Sequence, residues 1–154
     1  MSMKKFLIPV LFSVTAGSLI YLYWYYTASG ESEIYLLPNN YRGMIYIIFD
    51  QKNGAPKQYE NGSRVYVIPR NGILKTQFRF NKGWHQLPSF YYTTSIHERI
   101  LIRSQGIFVT GGSGGTAVSD LTKVPVSFFQ YTVGQKQELD SLTSHGERIN
   151  PANL

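Results

Sequence analysis

A chain of 154 residues has room for one domain with an appendage, and its 43% hydrophobic content argues against disorder. It has no cysteine, which excludes a disulfide framework, a thiolate zinc site, a cysteine nucleophile and an acylated N-terminal cysteine. The formal charge of +6 falls to about +4 once Lys4 and Lys5 are set aside as topology signals, a mild basic excess that favours anionic partners.

The first element predicted is a helix. No formal charge occurs from Phe6 to Thr27 (FLIPVLFSVTAGSLIYLYWYYT), a stretch that as a helix would rise roughly 33 Å and match the hydrocarbon core of a bilayer. Pro9 falls in its first turn, where a missing N–H breaks little. Lys4 and Lys5 precede it, and Tyr21, Tyr23, Trp24, Tyr25 and Tyr26 crowd its far end like an interfacial belt. The expectation is a transmembrane anchor over 6–27, with residues 1–5 cytoplasmic and the rest on the periplasmic or extracellular side. A signal peptide cut near Ala28-Ser29 is the rival reading, and it would leave a secreted domain.

Residues 28–32 read as a linker, and residues 33–154 as a β-sandwich domain in which 12 Tyr and 9 Phe favour strands. Strands are expected at 34–37, 43–49, 64–68, 73–80, 88–93, 97–104 and 124–133. The run 43–49 is apolar on both faces, which predicts a central strand. Pro69-Arg70-Asn71-Gly72 predicts a hairpin joining 64–68 to 73–80. In the latter strand Leu74, Thr76, Phe78 and Phe80 share one face, with Lys75, Gln77 and Arg79 on the other. The glycine-rich run 110–116 is expected to be a flexible loop, and Pro125 predicts an edge position for 124–133. A short helix is expected over 135–145, with Gly146 as its cap and a loose tail after it. Together these predict an all-β, antiparallel β-sandwich following one N-terminal helix.

The succession Leu37-Pro38, Tyr41-x-Gly43, Gly54-x-Pro56 and Gly62-x-Arg64-x-Tyr66-x-Ile68-Pro69-x-x-Gly72-Ile73-Leu74-x-Thr76 resembles an uncharacterised bacterial family of unknown function. That resemblance, over Tyr35 to Phe80, implies an envelope-facing β domain found after signal peptides or anchors. The strand Arg64-x-Tyr66-x-Ile68-Pro69 also resembles, as a fold analogy, transthyretin-like and carboxypeptidase-regulatory-like sandwiches, whose Gly-x-Tyr-x-Ile-Pro strand leads into a turn; here Arg64 stands where that pattern has its glycine.

Candidate chemistry is sparse. His85, His97 and His145 lack metal-ligand spacing, so neither a metal nor another cofactor is expected. Strand alternation separates Glu98 from His97 and Arg99, and the glycine run lacks the Lys-Ser/Thr of a phosphate loop. Trp84-His85 reads as a packed loop, and Asn61-Gly62-Ser63 as a turn that is formally a sequon. One surface is singled out: Lys75, Arg79, Arg99 and Arg103 would form a basic stripe if their strands adjoined. The reading is therefore a non-enzymatic, membrane-tethered binding or structural module of the envelope, or an immunity or inhibitor protein. Its partner would be a protein or an anionic envelope component, not nucleic acid. The alternative is a small envelope hydrolase or its accessory domain, disfavoured by only 9 acidic residues.

Overall fold

Alternating apolar residues place most of the strands, and the computed structural model shows how they pair. It describes residues 4–27, 30–83, 86–94, 98–146 and 149–154, with side chains of the first helix described from residue 13. The helix and the β-rich body form separate units.

Helix α1 spans Lys4–Thr27 and has no polar face. The Ser18 hydroxyl donates to the Val14 carbonyl at 2.9 Å and that of Thr27 to Tyr23 at 2.7 Å, so the helix satisfies its own polar groups. Among the described residues no helix is long and apolar enough to cross a membrane. Residues 13–27 rise only about 22 Å and hold the tyrosines, while the more apolar side chains of residues 6–12 lie outside the description. The span expected over 6–27 is thus corrected to an N-terminal helix.

The body contains two sheets. One orders β3 (Gln58–Glu60), β4 (Ser63–Val67), β1 (Glu33–Pro38), β6 (Ser89–Thr93) and β7 (Arg99–Leu101); the other orders β5 (Ile73–Lys75), β2 (Gly43–Ile48), β9 (Pro125–Gly134) and β8 (Phe108–Val118). Both are mixed, which corrects the antiparallel expectation: β1 runs parallel to β4 and β6, and β2 parallel to β5. The reason lies in two corners. Residues 39–42 carry the chain from β1 in one sheet to β2 in the other, and residues 68–72 do the same from β4 to β5. The second corner stacks beside the first, with Tyr35 opposite Tyr66 and Tyr46 opposite Ile73.

The hairpin expected at 69–72 is therefore absent. Gly72, at φ 76°, turns the corner instead, its N–H bonded to the Pro69 carbonyl at 2.9 Å. The true Asn-Gly hairpin joins β3 to β4, where Asn61 and Gly62 both have positive φ.

Strand β2 is central and buried on both faces, as its sequence predicts. Ile45, Ile47 and Phe49 enter the core between the sheets. On the other face the Tyr46 hydroxyl donates to the Gly146 carbonyl at 2.9 Å, at the end of helix α2 (Leu139–Gly146). The helix starts at Leu139 rather than 135: residues 135–138 form a turn that leads into it, the Glu138 N–H donating to the Gln135 carbonyl at 2.9 Å and its carboxylate accepting from the Gln135 N–H at 3.0 Å.

Other expectations change. Strand 73–80 stops at Lys75, yet the side-chain alternation continues, with Leu74, Thr76 and Phe78 buried. The strand expected at 97–104 is β7 followed by a 3-10 turn, Ile102–Gln105. Strand β9 is interior, since Pro125 is its first residue and its missing N–H falls at the end of the ladder. The glycine run is not a loop but the middle of β8. A Cβ on Gly114 would stand 3.0 Å from Phe129, so a ring from β9 fills the place of the missing side chain. The tail is tied down: Asn150 donates to the Val118 carbonyl at 3.0 Å, and Asn153 to Asp120 at 2.6 Å.

Candidate functional site

A cavity of about 400 Å³ opens between the β6–β7 side of one sheet and the β8–β9 side of the other. Phe90 and Tyr131 form its aromatic wall, Leu101 and Ile102 its apolar flank, and Gly111 and Gly112 its rim on β8. Arg103 is the charged residue in the lining. The glycines carry positive φ, Gly112 being the extra residue where the β8–β9 register shifts between Gly111 and Ser113, and they place no side chain over the opening. Such a mostly apolar concavity with one cation suits binding of a group that is apolar with an anionic neighbour.

Behind the wall lies a buried polar cluster. Tyr35 stacks on Phe90 with ring centroids 4.7 Å apart and meets Tyr131 edge-on at 5.3 Å. The Tyr35 hydroxyl donates to Glu33 Oε2 at 2.8 Å, and Glu33 Oε1 accepts from Asn81 Nδ2 at 2.9 Å and Tyr66 at 3.3 Å. Glu33 is only 2% exposed. Asn81 also brackets Glu31, accepting from its N–H at 3.1 Å and donating to its carbonyl at 2.7 Å. The chain is thus docked from Glu31 onward, inside the stretch expected to be linker.

Burial, joined by neighbouring tyrosines and the Glu33 charge, pushes the Tyr35 hydroxyl well above its usual value, and burial with the Glu33 charge raises Tyr66 against the opposing effect of Arg64. Burial likewise pushes Tyr131 and Tyr41 up to about 12. A tyrosine whose folded value is raised contributes stability that is complete below its unfolded value near pH 10 and lost as pH rises through the folded value. These side chains should therefore show no phenolate absorbance at 295 nm until about pH 12, where it should appear together with unfolding. Ionisation of all 12 tyrosines below about pH 11 with native circular dichroism retained would contradict this.

The four basic residues singled out in sequence are not brought onto one face. Lys75 ends β5, at the edge of the four-stranded sheet, whereas Arg79 lies beyond that strand, 3.9 Å from Asp50 and with its carbonyl accepting from Arg64 of β4 at 2.6 Å. Arg99, on β7 of the other sheet, makes a bidentate pair with Glu60 on the opposite edge strand, both contacts 2.7 Å. That pair holds the Glu60 carboxyl below its ordinary value. Arg103 alone of the four reaches the cavity.

In α1, Tyr21, Tyr23, Trp24, Tyr25 and Tyr26 are all exposed. The side chains of Lys4 and Lys5, and residues Trp84, His85 and His97, lie outside the described residues. His145 is in the last turn of α2. Among the described residues no group of three or more His, Asp or Glu could hold a metal ion, and neither Asp50 nor Asp120 lines the cavity.

Sequence reading missed the cavity because its walls come from four separate strands and a turn. Glu33 did carry a signal: it shares strand parity with Tyr35 and Leu37, so an acid was due on the core face.

Comparison with known proteins adds a family and a fold. A family model described as "Family of unknown function (DUF6843)" matches residues 29–141, well beyond the stretch that carried the resemblance. No curated protein matches the chain. A crystal structure of a candidate lipoprotein from Bacillus anthracis, 20% identical, superposes with a TM-score of 0.56 over 69% of this chain and 73% of that one. At that identity the likeness concerns the fold.

Proposed function

This chain belongs to the DUF6843 family of unknown function, and from that premise we propose that it is a non-enzymatic binding module of the bacterial envelope, held at the membrane by its N-terminal helix. The observation that carries the reading is the open apolar cavity between the sheet edges, with Leu87, Leu101 and Phe108 exposed around it or beside it. Exposed apolar surface grouped about a concavity marks an interaction site rather than a solvated face.

Membrane association is supported by the sequence of α1. A helix apolar all round is not a surface helix of a soluble body. The Bacillus anthracis protein is described as a candidate lipoprotein; this chain has no cysteine to acylate, so the helix takes the anchoring role. Removal of residues 1–30 is expected to move the protein from a carbonate-resistant membrane pellet to the soluble fraction. A soluble full-length protein would refute the tether, and a mature N-terminus near residue 29 would replace it with a cleaved signal.

Binding is tested by a photoreactive residue at Leu101 in intact cells, with exposed Lys57 as the control position. A discrete adduct from Leu101 and none from Lys57 is the expected result. Equal labelling from both positions, or none, would remove the cavity as the binding site.

A further inference from the structure

The body has four sheet edges, and they are not alike. Strands β3, β5 and β7 have three residues each, whereas β8 has eleven. Folded proteins blunt their edges with short strands, lysines, prolines or covering segments. Strand β8 (FVTGGSGGTAV) contains no charge and no proline, and its residues are mostly exposed. Asn150 caps its last carbonyl at Val118, but residues 108–117 have no partner on their outer side among the described residues.

The cavity opens beside that edge. Val109, Thr110, Gly111 and Gly112 of β8 form one side of it, with β7 and the following 3-10 turn opposite. A strand added along β8 would turn alternate side chains inward, towards Phe90, Ile102 and Tyr131. Glycines at the rim let another backbone approach closely.

Charge then selects the occupant. Arg42, Arg64, Arg79 and Arg99 each have a carboxylate partner; among the described residues Arg70, at the corner after β4, and Arg103 have none, and Arg103 is the one that lines the cavity. A second copy of β8 has no acid to offer it. Resting on the binding-module reading, we propose that β8 receives an extended segment of a partner protein as an added strand. An apolar side chain of that segment fills the cavity, and a carboxylate two residues away on the same face pairs with Arg103.

The test uses the full chain in detergent and a fluorescent nonapeptide of alternating threonine and valine. Its central valine is replaced by leucine, with glutamate two positions to either side to allow for both strand directions. The peptide should bind, and should slow hydrogen exchange at the amides of residues 108–117. N-methylating one alternate set of peptide amides should weaken binding at least tenfold while the other set is tolerated, because only one set faces the edge. Arg103→Glu should weaken binding about tenfold, and lysine in place of the peptide glutamates should restore it.

Peptide that binds without protecting β8, or equal sensitivity to both N-methyl sets, would show occupation of the cavity alone and overturn strand addition. Protection of β8 by self-association without peptide would make the occupant a second copy and overturn the partner segment. Absence of binding also overturns the inference, and a Leu101 adduct in cells would then leave the binding-module reading standing by itself.

Discussion

Replacing Glu33 with alanine is expected to destabilise the β-rich body by about 3–5 kcal/mol, because each buried polar group left without a partner costs roughly 1–3 kcal/mol. Three donors lose an acceptor together: the hydroxyls of Tyr35 and Tyr66, and the amide of Asn81, which keeps only its bond to the Glu31 carbonyl. None reaches water easily, since Tyr35 and Tyr66 are almost wholly buried and Asn81 is 4% exposed. Against a typical total of about 5–15 kcal/mol, this change alone brings the body close to unfolding. Glu33→Gln keeps the volume and one acceptor and should cost less, about 2 kcal/mol. Urea unfolding followed by tyrosine fluorescence measures both. A loss below about 1 kcal/mol in the alanine variant would mean that the cluster contributes little net stability.

Gly72→Ala is expected to cost about 3 kcal/mol, from left-handed backbone strain of roughly 1–2 kcal/mol and one broken, partly buried hydrogen bond. Gly72 has φ 76°, and an added Cβ would collide with the Tyr41 hydroxyl and the Met44 carbonyl. Those two groups are bonded to each other at 2.5 Å, so the methyl would force them apart. The Gly72 carbonyl also accepts from Tyr46 N–H at 2.8 Å, joining the corner to the central strand. Gly62 supplies the comparison: its φ is 79°, with nothing within 4 Å of a built Cβ. Gly62→Ala should therefore show the strain alone, about 1 kcal/mol. In thermal melts the expected difference between the variants is several degrees. Equal shifts would show that the corner relaxes around the methyl.

The contrast between these glycines also shows where sequence reading stops. Both follow an asparagine and both have positive φ, so their local chemistry is the same. Asn61-Gly62 closes a hairpin, whereas Asn71-Gly72 turns a corner between sheets. The difference comes from β1 and β2, more than twenty residues upstream, which already lie in opposite sheets and offer parallel edges to β4 and β5.

Residue periodicity determined a good deal by itself. The uncharged stretch 6–27 specified a helix, the doubly apolar run 43–49 a central strand, and the parity of Leu74, Thr76 and Phe78 their burial even where the ladder ends. These follow from each residue's own side chain and its near neighbours, through the 3.6 and 2.0 periods. Which strands pair, in which direction, and what lies between their edges was decided only by the tertiary structure. An alternating pattern states which face is buried but not against what. Thus a glycine run became strand β8 because Phe128 and Phe129 of β9 lie across it. Four basic residues separated because β5 and β7 belong to different sheets, and Arg103 came to the cavity through a 3-10 turn where a strand was expected. Long-range pairing depends on contacts between distant segments, and no local window contains them.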